Sequence, residues 1–89
     1  MEKRQKLELI DKMLRELDDL KNSQTAVLKK IAQVEAENIN AGIQVLDKKL
    51  PDVHEKADQN LEGLSQLLDE LQQHRIEFVK KNNLEPVEA

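Results

Sequence analysis

The residues of this chain best suited to chemistry at neutral pH are its two histidines, His54 and His74. Each stands four residues from a carboxylate, His54 before Asp58 and His74 after Glu70, so on a helix each pair shares a face. Such a pair offers two metal ligands, whereas helical zinc and di-iron sites need three or four that converge. No metal or cofactor is expected. Ser23 and Ser65 have no histidine at a neighbouring position to act as an oriented base. The adjacent carboxylates Asp18-Asp19 and Asp69-Glu70 point in different directions on a helix and make a poor acid–base pair. There is no cysteine and no glycine-rich phosphate loop. With Phe78 as the sole aromatic, an aromatic-lined ligand pocket is not expected either. The reading is therefore non-enzymatic.

Charge narrows the partners. The formal net charge is −4 and the pI about 5.2. Proteins that bind nucleic acid gather Lys and Arg on one face to neutralise phosphates. Here Lys29-Lys30, Lys48-Lys49 and Lys80-Lys81 are short runs set among acidic or apolar residues, so nucleic acid is not expected as a partner. A membrane surface is not expected, because it would want a basic face with bulky aromatic anchors. Met1–Lys6 is too charged for a signal-peptide core. The expected location is the cytoplasm, with export by a route that needs no cleavable signal left open.

What remains is helix packing. Two glycines and two prolines in 89 residues, with 36% charged residues, favour long helices in a single all-α domain covering residues 1–89. Leu50-Pro51-Asp52 is the strongest interruption. Pro51 removes a helical hydrogen bond, and Asp52 with Glu55 forms a capping-box pattern. The expectation is a helix over about 3–49, a turn at 50–52, a helix over about 53–81 and a frayed tail at 82–89. This is an antiparallel hairpin with coiled-coil-like packing. Its arms would be roughly 70 Å and 43 Å long at about 1.5 Å per residue, and His74 would lie beside residues 27–29.

The second helix carries Ala57, Leu61, Leu64, Leu68, Leu71, Arg75 and Phe78 at alternating spacings of four and three. That is the seam of a coiled coil. Arg75 is expected to lay its methylenes over apolar neighbours with its guanidinium in water. The first helix keeps the same rhythm through Ile10, Met13, Leu17, Leu20, Gln24, Val27, Ile31, Val34, Asn38, Ala41 and Val45, with Leu14 and Leu28 flanking it. The polar stretch Lys21–Thr25 competes with this continuity. A turn near Asn22-Ser23 would break the helix at 21–25 and give a compact three-helix bundle. The hairpin is preferred because the seam stays in phase through Gln24.

A second stripe, Ala32, Ala36, Ile39, Ile43 and Leu46, lies on another side of the first helix. A helix apolar on two sides needs cover on two sides. In the unequal hairpin, residues 3 to about 20 also overhang the second arm, with Leu7, Ile10, Leu14 and Leu17 uncovered. The expected protein-interaction residues are therefore Leu7, Ile10, Leu14, Leu17, Leu20, Ile39, Ile43 and Leu46. Asn38 is a candidate registry residue, which would fix alignment by pairing with a facing Asn or Gln. The chain reads as an adaptor, assembly or regulatory module that associates through helices, most directly with copies of itself. Two alternatives are an exported hairpin that pairs with another helical protein, and an acidic regulator that sequesters a basic enzyme or DNA-binding protein.

Overall fold

The computed structural model describes residues 1–84; residues 85–89, most of the expected tail, lie outside the described residues. Helix α1 spans Lys3–Ala41 and helix α2 spans Gln44–Lys81. Hydrogen bonds join Asp11 to Arg75, Gln24 to Ala57 and Asn38 to Asp47, so the two run antiparallel. The result is an all-helical hairpin of 62 × 21 × 20 Å. No strand occurs among the described residues.

Glu2 starts α1. Its carboxylate accepts from the Arg4 and Gln5 backbone N–H groups, and the Gln5 side chain accepts from the Glu2 N–H, which completes a capping box. The helix then runs through Lys21–Thr25 without a break, so the three-helix alternative does not form. The polar side chains there find partners that leave the helix intact. Thr25 Oγ1 donates to the Lys21 carbonyl one turn back at 2.9 Å, and Gln24 Nε2 donates across the hairpin to the Ala57 carbonyl at 3.1 Å.

The turn is not where the proline suggests. It falls at Gly42-Ile43, and Pro51 lies inside α2 as its eighth residue. Gly42 takes the left-handed conformation, φ 62° and ψ 35°, which costs an L-residue steric strain and glycine none. Its N–H closes α1 on the Asn38 carbonyl at 2.8 Å. The two possible turns differ in what they bury. Turning at 50–52 would spare the roughly 3 kcal/mol of a mid-helix proline. It would also leave Leu7, Ile10, Leu14 and Leu17 beyond the end of the second arm. Burying such side chains is worth roughly 1.5–3 kcal/mol each when complete. Four of them outweigh one proline even when partly buried. The arms accordingly have 39 and 38 residues, and no overhang exists. Asp52, expected to cap a helix, instead sits mid-helix in an exposed pair with Lys56 at 3.0 Å.

At the far end, the Leu84 N–H donates to the Val79 carbonyl at 2.9 Å and the Asn83 N–H to the Lys80 carbonyl at 3.3 Å, with Asn83 at φ 56°. This is a Schellman termination that uses Asn where Gly is commoner. Lys80 and Lys81 occupy the last turn, where the helix dipole favours cations.

The core is a single seam. Ile10, Ala57, Leu68 and Val79 are its buried apolar residues, and Asn38 is the buried polar one. No large side chain among the described residues is completely removed from solvent. On α2 the half-buried and buried positions Ala57, Leu61, Leu64, Leu68, Leu71, Arg75 and Phe78 follow the expected spacing throughout.

Candidate interaction face

The heptad rhythm of α1 has two solutions. Both share Ile10, Leu17, Gln24, Ile31 and Asn38, and they differ in whether the alternate residue comes three or four positions later. Apolarity alone selects Met13, Leu20, Val27 and Val34. The structure instead turns Leu14, Lys21, Leu28 and Glu35 toward α2, half-buried, and leaves Met13, Leu20 and Val27 at 37%, 53% and 45% exposure. The apolar stripe of α1 is wider than one helix can cover. Helix α2 takes two of its three columns, and the third stays outside except at Val34, which is half-buried.

The flanking column of α2 is Val53, Asn60, Leu67 and His74, one residue before each of His54, Leu61, Leu68 and Arg75. Val53 and Leu67 are 47% and 48% exposed. In an antiparallel pair such columns lie on the same side of both helices. Met13, Glu16, Leu17, Leu67 and Leu71 accordingly line one shallow groove. The hairpin thus has an apolar flank built from both helices. The opposite flank carries Asp11, Asp18, Thr25, Asp58, Ser65 and Gln72 and is polar along most of its length, with Ala32, Ile39 and Pro51 at the turn end.

The expected interaction residues divide between core and surface. Ile10 is buried, and Leu7, Leu14 and Leu17 are half-buried in the seam against α2, because the equal arms cover what the unequal ones would have left bare. Leu20 is exposed on the apolar flank. Ile39 and Ile43 are 82% and 48% exposed at the turn, and Leu46 is half-buried. The second stripe is not one continuous helical face, because the chain reverses between Ala41 and Gln44. Met13, Val27, Val53 and Leu67 were absent from the expected set. The available signal was the width of the stripe, three columns against one partner.

Asn38 pairs within its own turn and not with a facing Asn or Gln. Its Oδ1 accepts from the Ile43 N–H at 2.8 Å, and its Nδ2 donates to Asp47 Oδ1 at 2.7 Å and to the Ile43 carbonyl at 3.4 Å. The one residue thereby caps the start of α2 and ties it to the end of α1.

The polar side chains at the seam edges are paired across the hairpin. His54 Nδ1 lies 2.7 Å from Glu35 Oε1, not with Asp58. Arg75 holds Asp11 with Nε and with Nη2, the latter at 3.3 Å. The hydrogen bond that Arg75 donates to Asp11 is the main reason the guanidinium is held above its ordinary pKa, so it stays charged at any working pH. His74 stacks on Phe78 with centroids 6.3 Å apart, and Lys6 Nζ sits 5.4 Å above the same ring. His74 therefore lies beside the start of α1 and not beside residues 27–29, a direct result of the shifted turn.

Among the described residues no three His, Cys, Asp or Glu side chains gather as metal ligands. Every buried side-chain polar atom among them has a partner, and no helix is long and apolar enough to cross a membrane. Comparison with protein-family models, with curated proteins and with solved structures finds no match.

Proposed function

We propose that this chain is a non-enzymatic helical interaction module, an adaptor, assembly or regulatory protein of the cytoplasm, that associates with copies of itself through its apolar flank. One observation carries the reading: Met13, Leu20 and Val27 on α1 and Val53 and Leu67 on α2 stand exposed in two columns on the same side of the hairpin. A contiguous apolar strip on a small protein is costly to leave in water and serves as a docking surface. These side chains are about half exposed, so covering each contributes on the order of 1 kcal/mol. A pair of hairpins covers ten of them. Against an association cost of at least about 4 kcal/mol, this supports a micromolar rather than a nanomolar complex.

Solution mass tests the reading. By light scattering or equilibrium sedimentation, the 10.3 kDa chain should rise toward twice that mass as its concentration passes through the micromolar range. Leu20→Glu with Val27→Glu should stay monomeric with undiminished helix content, since both residues are exposed. A wild-type chain that remains monomeric throughout refutes self-association.

A further inference from the structure

From the charges that border the apolar flank we infer which way two copies pair: antiparallel and face to face, α1 on α1 and α2 on α2, about a two-fold axis at Ser23 and Gly63. The inference rests on the association reading above and adds its geometry.

Outside each apolar column runs one further column. On α2 it is Lys49, Lys56, Gly63, Glu70 and Glu77, each seven residues from the next and all exposed. The column is basic toward the turn, acidic toward the open end, and has no side chain at its centre. Reversed end for end about Gly63, it sets Lys49 against Glu77 and Lys56 against Glu70. On α1 the corresponding column is Leu9, Glu16, Ser23, Lys30 and Glu37, also exposed. Reversed about Ser23, it sets Glu16 against Lys30, with Leu9 facing Glu37 at the ends.

The two centres were found separately, yet they stand level on the hairpin. The Arg75–Asp11 and Asn38–Asp47 contacts give the register of the two helices to within about a residue. Twelve residues onward from Asp11 is Ser23, and twelve residues back from Arg75 is Gly63. A single two-fold axis therefore satisfies both columns. The same operation places Leu20 opposite Val27 and Met13 opposite Val34, so the middle of the α1–α1 contact is apolar and the Glu16–Lys30 pairs border it. It places Val53 against His74 and Asn60 against Leu67 at the more polar α2 contact. Every neighbouring pair of helices in the resulting four-helix bundle runs antiparallel, which opposes their dipoles favourably.

The other symmetric arrangement lays α1 of one copy on α2 of the other. It brings Glu16 against Glu70 and Lys30 against Lys56, and only Glu37 against Lys49 remains favourable. The flanking charges thus favour one orientation and disfavour the alternative, as paired helices commonly do. Lys56 already touches Asp52 of its own helix at 3.0 Å, with side chains 73% and 63% exposed. An ion pair that exposed is weak and exchanges readily. Gly63 has no packing role inside the monomer, since a Cβ there would meet nothing within 4 Å. At the axis it lets the two α2 backbones approach. The face measures about 62 by 21 Å. That exceeds the roughly 800 Å² per partner of a standard specific interface.

Charge reversal separates the orientations. Glu16→Lys puts Lys against Lys30 twice in the inferred pair and should weaken dimerisation about tenfold at low salt. Lys30→Glu should do the same, and mixing the two variants should restore dimers as heterodimers. In the alternative arrangement Glu16→Lys meets Glu70 and would strengthen the dimer, which overturns the inference. Spin labels on the full chain supply a second readout. Labels at Lys48→Cys should lie about 45 Å apart, because thirty residues at about 1.5 Å separate them along the bundle, while labels at Ser23→Cys should lie within about 20 Å. Short distances at both positions overturn the pairing while leaving self-association intact. A wild-type chain that never dimerises overturns both.

Discussion

Removing the Asn38 side chain should be the most damaging single polar truncation in this hairpin. Asn38 is 5% exposed and serves both helices. Its Oδ1 satisfies the Ile43 N–H, a donor that has no partner inside α2 because it lies at the helix start. Its Nδ2 donates to the Asp47 carboxylate at 2.7 Å. A neutral hydrogen bond contributes about 0.5–1.5 kcal/mol and one to a charged group about 1.5–3. The 3.4 Å contact to the Ile43 carbonyl adds little. Asn38→Ala should therefore cost roughly 2–4 kcal/mol. The assay is urea unfolding followed by circular dichroism, in the Leu20→Glu, Val27→Glu background at fixed concentration, so that association does not enter. Asn40→Ala, two residues on and exposed, is the control and should fall within about 0.5 kcal/mol of its parent. If Asn38→Ala also stayed within about 0.5 kcal/mol, the turn would be held by the seam alone and the capping argument would be wrong.

Further expectations follow from the same geometry. Pro51→Ala should restore the hydrogen bond to the Asp47 carbonyl and stabilise the hairpin by about 1–3 kcal/mol, seen as a higher urea midpoint; a lower midpoint would mean that the proline has a role in the turn. Gly42→Ala should destabilise by about 1–2 kcal/mol because of its positive φ, whereas Gly63→Ala in the non-associating background should stabilise by up to about 1 kcal/mol, since the site is helical and open. Asp11→Asn should cost no more than about 1 kcal/mol, because the Arg75–Asp11 side chains keep about a third of their exposure. The thermal midpoint of the wild-type chain should rise with concentration, each tenfold step adding about 1.4 kcal/mol to the dimer, and that of Leu20→Glu, Val27→Glu should not move.

Much of this fold is legible in the sequence, and the rest is not for definable reasons. The all-helical class, the start at Lys3, the end at Lys81 and the seam of α2 follow from composition, caps and spacing. The turn does not. Pro51 is a strong local signal and Gly42 a weak one, since a glycine within a helical pattern is ordinarily just tolerated. The outcome depends on a comparison that no local window contains, between the strain of one proline and the burial of four side chains some forty residues away. The column choice in α1 has a similar origin. Residue by residue, Leu20 is a better core candidate than Lys21, yet Leu20 is exposed and Lys21 half-buried, while Glu35 is as half-buried as its apolar neighbour Val34. Lys21 and Glu35 have stems long enough to span the seam edge while their charges reach water or His54, and choosing their column also brings Leu7, Leu14 and Leu28 inward. One misplaced turn then moved every cross-helix expectation together, His74 included.

The error in the turn and the reading of the surface share a cause. An overhang explains uncovered apolar residues by unequal arm lengths, and equal arms remove that explanation without removing the residues. The excess apolar surface lies around the circumference of α1 instead of beyond the end of α2. That difference changes what could cover it. An overhang accepts a single helix at one end of the rod. A lateral flank 62 Å long needs a partner of the same length, with charges that match along all of it. In the inferred pairing the bordering columns place acid opposite base about one shared centre on both helices, with Leu9 and Glu37 facing each other at the ends, and this is why the partner proposed is a second copy of this hairpin.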